Sequence, residues 1–415
     1  MTSGDQAQEG AEQTYVVVGA GHAAGQAAAT LRSKGFKGRI ILIGEESYAP
    51  YQRPALSKAF LSGDITLERL YFKPSAYYEK NDIELILDTI VTQLDRQKKT
   101  ITLSDGREIA YDKALLATGS RVRTIPLPGA DLPGVFYLRT IADVEGIRAA
   151  CAKGSKIIIV GGGYVGLEVA ASTKKLGLDV TVLEAESRVM ARAVGQEVSD
   201  FFETLHAEEG VSIKTGQAVT ALEGDGKLER VVCADGTVLQ ADVAVIGVGI
   251  IPNQELAAQA GLAVDNGVVV DAYCRTADPD IFAAGDCTNH PNGIFERRLR
   301  LESVHNALEQ AKTAAAAMCG TLTVYDQVPW FWSDQYNVKL QIAGLSQGYD
   351  EIVVRGDPSA RKFAAFYLKE GVLIATDAIN AVPEYMMSRK LIAAHARIAP
   401  ERLADMSIPM KSMIE

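Results

Sequence analysis

Glycines carry the first chemistry in this chain. In TYVVVGAGHAAGQAAATL, from Thr14, and again in KIIIVGGGYVGLEVAAST, from Lys156, a β-branched run meets a glycine-rich turn and then a small-residue helix. A phosphate cradle needs that order. One glycine makes the tight turn, a second lets backbone approach a pyrophosphate, and a third small residue keeps helix against strand. Gly19 with Gly21, and Gly161 with Gly163, fill the first two roles, while Ala24 and Gly166 fill the third. The pyrophosphate then rests on free amides at the helix N-terminus, where the helix dipole favours negative charge. One such turn is weak evidence; two in the correct context imply two dinucleotide sites.

The strand VTVLE of the second copy ends on Glu184. A carboxylate there accepts hydrogen bonds from an adenosine ribose and repels a 2′-phosphate, which favours NADH over NADPH. Arg188 and Arg192 stand close by in sequence, and an arginine turned toward a 2′-phosphate would tolerate it. The matching end of copy one, IILIGEES, offers Glu45 or Glu46 to a ribose. A further segment, RTADPDIFAAGDCTN, reads as a strand and then a turn at Gly285–Asp286. A carboxylate at such a turn can hold the ribityl chain of a flavin, and the ATG at Ala117–Gly119 ends another strand.

The thiols are as informative by their spacing. Cys151, Cys233, Cys274, Cys287 and Cys319 are scattered, odd in number and contain no CxxC. A disulfide framework, a thiolate metal site and an internal thiol relay all lack their ligands or nucleophile, and a reducing, cytoplasmic location fits. Cys287 follows Asp286 without a partner in sequence and reads as a buried small hydrophobe. The five histidines, His22, His206, His290, His305 and His395, are isolated in sequence and form no metal spacing.

These residues need elements to position them, and the two copies continue to match downstream. SDGREIAYDKALLATGS (104–120) parallels ADGTVLQADVAVIGVGI (234–250): a DG turn joins two short strands, and an Asp precedes a buried apolar strand ending in glycine. The repeat implies two related nucleotide-binding domains. Past Thr323 the pattern changes to aromatics and alternating strand residues, VPWFWSDQYNVKLQIAGL, then further strands and a helix near Pro383–His395. The expected division is a polar disordered tail over 1–13, one domain from 14–124 and 252–325, a second from 125–251, and an α+β domain over 326–415. At 415 residues, with 47% hydrophobic and 23% charged residues, the composition is that of a globular protein of two or three domains. No apolar run reaches a membrane span, and a net charge of −10 argues against a general nucleic-acid binder.

Six further stretches carry a family resemblance over nearly the whole chain: RPALSK (53–58), LLATG (115–119), GGGYVGLEVA (161–170), AAGDC (283–287), ESVHNALEQA (302–311) and PWFWSDQ (329–335). The sequence resembles the FAD-dependent NADH:ferredoxin reductases that serve bacterial oxygenases. The resemblance implies an α/β fold with two Rossmann-like domains, arranged as in glutathione reductase, and a C-terminal α+β domain. It implies FAD contacts from Gly19, Gly21, Ala23, Ala24, Glu45, Lys58, Val91, Thr118, Gly119, Arg139, Gly285, Asp286, Val304 and Trp332. NADH would be held by Gly161, Gly163, Gly166, Glu168 and Glu184. Lys58 would reach the flavin ring and stabilise negative charge on it, with Glu168 as its partner; the plainer reading makes Lys58 a solvated loop residue and Glu168 a helix-start acid. Trp332 would sit at the ring's edge, although Trp330 and Trp332 share one face of a strand and one of them is packing.

With no thiol to pass through, electrons would leave the flavin directly for a [2Fe-2S] ferredoxin, and through it an oxygenase, either a haem-thiolate monooxygenase or a Rieske dioxygenase. Such ferredoxins are usually acidic, so a negative reductase needs a concentrated basic face. The sequence offers Arg297, Arg298 and Arg300, then Arg389, Lys390 and Lys411, although surface cations are common. Two other readings share the nucleotide folds: an NADH oxidase or quinone-type flavin reductase with no protein partner, and a flavoprotein like apoptosis-inducing factor.

Overall fold

The computed structural model describes residues 13–152 and 154–413; the expected disordered tail lies, apart from Gln13, outside the described residues. The chain divides into two compact units. The first gathers residues up to Gln52, Leu67–Arg121 and Ile251–Gln327; the second gathers Arg53–Thr66, Val122–Ile250 and the chain from Val328 onward. None of the helices among the described residues is long and apolar enough to cross a membrane.

In the first unit β1 (Thr14–Val18) lies at the centre of a five-stranded parallel sheet. It leads into α1 (His22–Ser33) and pairs with β2 (Arg39–Ile43). Lys113–Leu116 and then Ile281–Ala283 complete one side and Ile83–Ile86 the other. The β-branched runs alternate between the two faces. Val17, Leu42 and Leu115 pack beneath α1, while Val16, Val18, Ile41 and Ile43 pack on the opposite side. A parallel sheet covered on both faces needs such continuous apolar strands.

The second unit repeats the plan. β3 (Lys156–Val160), α2 (Tyr164–Lys175) and β4 (Asp179–Leu183) form the same strand–turn–helix–strand unit, again in a five-stranded parallel sheet. The Asp before each returning strand has one task in both copies. Asp112 Oδ2 accepts from the Thr14 amide at 2.7 Å, and Asp242 Oδ2 from the Lys156 amide at 2.8 Å. Each ties the first donor of its central strand to the start of the returning strand.

After α3 (Gln196–Glu208), the C-terminal part forms a five-stranded antiparallel sheet that opens with β5 (Trp330–Gln335) and is followed by α4 (Val382–Ala393). The unit boundaries differ from the expected division in two respects. The C-terminal sheet packs with the second nucleotide fold into one unit, because Phe201 of α3 meets Phe363 at 5.2 Å and the Gly195 amide donates to the Tyr367 hydroxyl at 2.8 Å. The stretch Arg53–Thr66, expected within the first domain, belongs to the second unit, where the Ser172 hydroxyl of α2 donates to the Ser57 carbonyl at 2.7 Å.

Candidate functional site

Each nucleotide fold presents an open cradle. Gly19 has φ +125°, and a Cβ there would lie 2.2 Å from the Ala117 carbonyl oxygen. Gly21 caps α1 with no side-chain hydrogen bond, and no acidic residue occupies the first turn. A Cβ at Gly21 would meet nothing within 4 Å, so its missing side chain leaves the approach to the helix amides open. The second copy reproduces this. Gly161 has φ +109°, and a Cβ there would lie 2.4 Å from the Gly247 carbonyl oxygen; Gly163 caps α2 with open space before it. Donors without intrahelical partners, a favourable dipole and room for backbone contact fit a dinucleotide pyrophosphate in both places.

Around the first cradle stand Ala23 and Ala24, both buried, with Thr118 and Gly119 at the end of the adjoining strand. Thr118 donates to the Asn253 carbonyl at 2.6 Å. Gly285 adopts φ +92° with its amide held by Gln310 Oε1 at 2.8 Å, and Asp286 accepts from the Ser120 hydroxyl at 3.0 Å. Val304 is the first residue of the helix Val304–Met318, capped by Ser303. Val91 opens a strand of the small antiparallel sheet, half-buried. Glu45 is exposed and sits one residue past the place that Glu184 holds in copy two; that place is Gly44, whose added Cβ would strike Ala20 at 2.5 Å. Copy two makes the opposite choice, with Gly162 beside a full-sized Glu184.

The second unit holds the other expected residues. Glu184 folds over its turn, accepting from the Gly162 amide at 2.7 Å and from the Glu186 amide at 2.8 Å. Arg188 is turned inward, donating to the carbonyls of Val194 and Ala191 and to the Ser199 hydroxyl. Arg192 reaches outward and pairs with Glu186 at 3.1 Å. The arginine nearest the turn is therefore spent on main-chain carbonyls. Arg139 donates its amide to Asp143 and accepts from Arg53 through its carbonyl.

Lys58 and Glu168 form an ion pair at 2.6 Å, with their side chains 18% and 3% exposed. Glu168 is buried and Lys58 half-buried, so the pair is not a solvated loop residue beside a helix-start acid. The Glu168 carboxylate also accepts from Ser57 and, at 2.6 Å, from Ser333 of β5. Period-two alternation along β5 sorts its side chains. Phe331 packs on Tyr164 at the start of α2, 4.8 Å between centroids, and Ser333 and Gln335 are buried on that same face. Trp330 and Trp332 take the other face, 5.7 Å apart, with Trp330 against Tyr385 and under the Arg389 guanidinium. The sequence assigns no role to Ser333 and Gln335, which lie inside the PWFWSDQ stretch, or to His206, one of the isolated histidines. The alternation of β5 is the signal available for the first two, and nothing marks the third.

The basic face also sorts itself. Arg298 caps main chain, donating to the Asn289 side chain at 2.8 Å and the Val270 carbonyl at 2.7 Å. Arg300 has a side chain only 15% exposed and pairs with Glu302 at 2.6 Å. Arg298 is exposed while its guanidinium is held by these acceptors, whereas Arg300 is the more enclosed of the two. Arg297, Lys390 and Lys411 are exposed or partly so, and Arg389 is half-buried on Trp330.

All five cysteines are unpaired, three of them buried. Burial pushes the Cys287 thiol up, and its sulfur lies 3.5 Å from the Ala284 carbonyl and 3.6 Å from that of Leu116. Burial likewise pushes the Cys151 thiol up to about 11. A protonated, enclosed thiol is a poor nucleophile, so Cys287→Ala should keep acceptor reduction within about twofold of the native rate. A loss of turnover on that change, with folding intact, would restore a sulfur step.

Residues 13–311 match the model of the pyridine nucleotide-disulphide oxidoreductase family, and residues 330–414 match that of the reductase C-terminal module. The chain is 44% identical over 402 residues to rhodocoxin reductase of Rhodococcus erythropolis, covering 97% of this chain and 94% of that one. It is 42% identical over 410 residues to putidaredoxin reductase of Pseudomonas putida, covering 97% of each. Among solved structures it is similar to a chain of the covalent putidaredoxin reductase–putidaredoxin complex, with a TM-score of 0.94 and 41% identity over 97% of this chain and 98% of that one.

Proposed function

The chain belongs to the pyridine nucleotide-disulphide oxidoreductases that carry a reductase C-terminal module, and from that premise we propose that it is an FAD-dependent NADH:ferredoxin reductase. Its electron acceptor is a [2Fe-2S] ferredoxin that feeds an oxygenase, in the cytoplasm. One observation carries the reading: a disulphide-reductase fold is present while all five thiols are unpaired, so no internal disulfide stands between cofactor and acceptor. When bound, FAD takes a hydride from NADH and gives up electrons singly.

The residues divide the remaining work. The amides of α1 bind the FAD pyrophosphate, and Asp286 holds the flavin's ribityl chain. The amides of α2 bind the NADH pyrophosphate, and Glu184 orients the adenosine ribose. A 2′-phosphate would meet the Glu184 carboxylate with Arg188 already committed elsewhere, which supports NADH over NADPH. Lys58 supplies positive charge for the negative charge the flavin gains, and Glu168 fixes its position. Trp332 covers the edge of the ring.

Purified protein should be yellow, and its NADH-driven reduction of cytochrome c should depend on added [2Fe-2S] ferredoxin. An equal rate without ferredoxin would instead mark an oxidase or a small-quinone reductase. For docking, Lys390→Glu with Lys411→Glu should raise the ferredoxin KM by about five- to tenfold and leave reduction of a small dye unchanged. Ferredoxin reduction should also weaken with added salt while dye reduction does not. Unchanged ferredoxin kinetics in the double variant would remove both lysines from the docking face.

A further inference from the structure

The Glu168 carboxylate is the end of a chain of hydrogen bonds that runs through three elements of the second unit. Tyr336 OH lies 3.0 Å from His206 Nδ1, and His206 Nε2 lies 2.8 Å from Gln335 Oε1. Gln335 Nε2 donates to Ser333 Oγ at 3.1 Å, and Ser333 Oγ donates to Glu168 Oε1 at 2.6 Å. His206, Gln335, Ser333 and Glu168 are all buried, between 0% and 3% exposed.

The direction of each bond follows from the one before it. A carboxylate has no hydrogen to give, so Ser333 must donate to it and can offer Gln335 only a lone pair. Gln335 must then turn its NH2 toward Ser333 and its carbonyl toward His206. That carbonyl requires a hydrogen on Nε2, which leaves Nδ1 to accept from the Tyr336 hydroxyl. Reversing the Gln335 amide would make it compete with Glu168 for the one Ser333 hydrogen. Burial agrees with this arrangement, since it lowers the His206 imidazole to about 4 and keeps the ring neutral. The chain is unsuited to moving protons, because a side-chain amide gives up its hydrogens far less readily than an imidazole or a hydroxyl.

We propose that His206 is a positioning residue for the reductase: acting through Gln335 and Ser333, it locks the orientation of the Glu168 carboxylate and with it the Lys58 ammonium. This rests on the reading of Lys58 and Glu168 as the pair that serves the flavin. A hydrogen bond to a charged acceptor is among the stronger ones in a protein, and its loss inside a buried site is not made good by water.

The test has a spectroscopic arm and a kinetic arm. With ring-¹⁵N histidine there are five residues to assign, and a His206→Gln protein identifies the signal. At neutral pH His206 should be neutral with its hydrogen on Nε2. A cationic ring, or a hydrogen on Nδ1, would overturn the proposal. In stopped flow, His206→Phe should slow flavin reduction by NADH about tenfold with little change in NADH affinity. His206→Gln, which restores a donor toward Gln335, should recover to within about threefold of native. Should His206→Phe match the native rate while Glu168→Gln is slowed, the proposal fails and the role of the pair stands. Should neither change the rate, both fail.

Discussion

Glu168→Ala should lower the unfolding free energy by about 3 kcal/mol, the low end of the range for stranding a buried partner. The low end applies because the Lys58 side chain keeps 18% of its exposure and can recruit some water. Two hydroxyls lose their acceptor at the same time, those of Ser57 and Ser333. Urea unfolding measures the loss. The informative companion is the double variant Lys58→Met, Glu168→Leu. Replacing both partners by apolar residues of similar size removes the stranded charge and should return part of the stability, the Ser57 and Ser333 hydroxyls still lacking their acceptor. It should not return the rate of flavin reduction by NADH. Stability recovered without rate means the pair is kept for chemistry. If the double variant reduced flavin as fast as the native protein, the pair would have only a packing role.

The second large effect is expected at Gly166. A Cβ there would sit 2.0 Å from the Gly161 carbonyl oxygen, which is backbone and cannot swing aside. Gly166→Ala must therefore move α2 away from its turn, at a cost of about 1–3 kcal/mol for overpacking. The shift displaces the amides that face the pyrophosphate, and with them Glu168, two residues on. The NADH KM should rise by about tenfold or more, because several pyrophosphate contacts are misplaced together. The ratio of bound FAD to protein should stay at its native value, since the first unit has its own cradle. Copy one shows that the constraint is local: Ala24 stands at the corresponding position, fully buried, so α1 must lie farther from its turn than α2 does. If Gly166→Ala kept the native NADH KM, the second turn would not be the pyrophosphate site.

The paired glycine turns, the aspartates that precede each returning strand and the alternation of β5 were all legible in the sequence. So was the family, whose quoted motifs reach the start of the C-terminal module. Each of these is a short-range statement: a tight turn needs glycine and a strand's side chains change face every residue, so a few neighbours are enough to decide them. The arginine run FERRLRLES shows the limit. Its charges could be counted, but not that Arg298 caps carbonyls or that Arg300 is paired and mostly covered.

By itself, then, the sequence determined two dinucleotide cradles, the absence of a thiol pair and the kinship of the chain. The family resemblance already implied that Lys58 pairs with Glu168. Only the tertiary structure decided which other polar groups meet there: the fold adds Ser57 from the excursion Arg53–Thr66, Ser333 from β5 and His206 from α3. The physical reason is that an ion pair or hydrogen bond between residues more than a hundred positions apart leaves no local pattern. It exists because burial removes water and leaves each group the partners the fold provides.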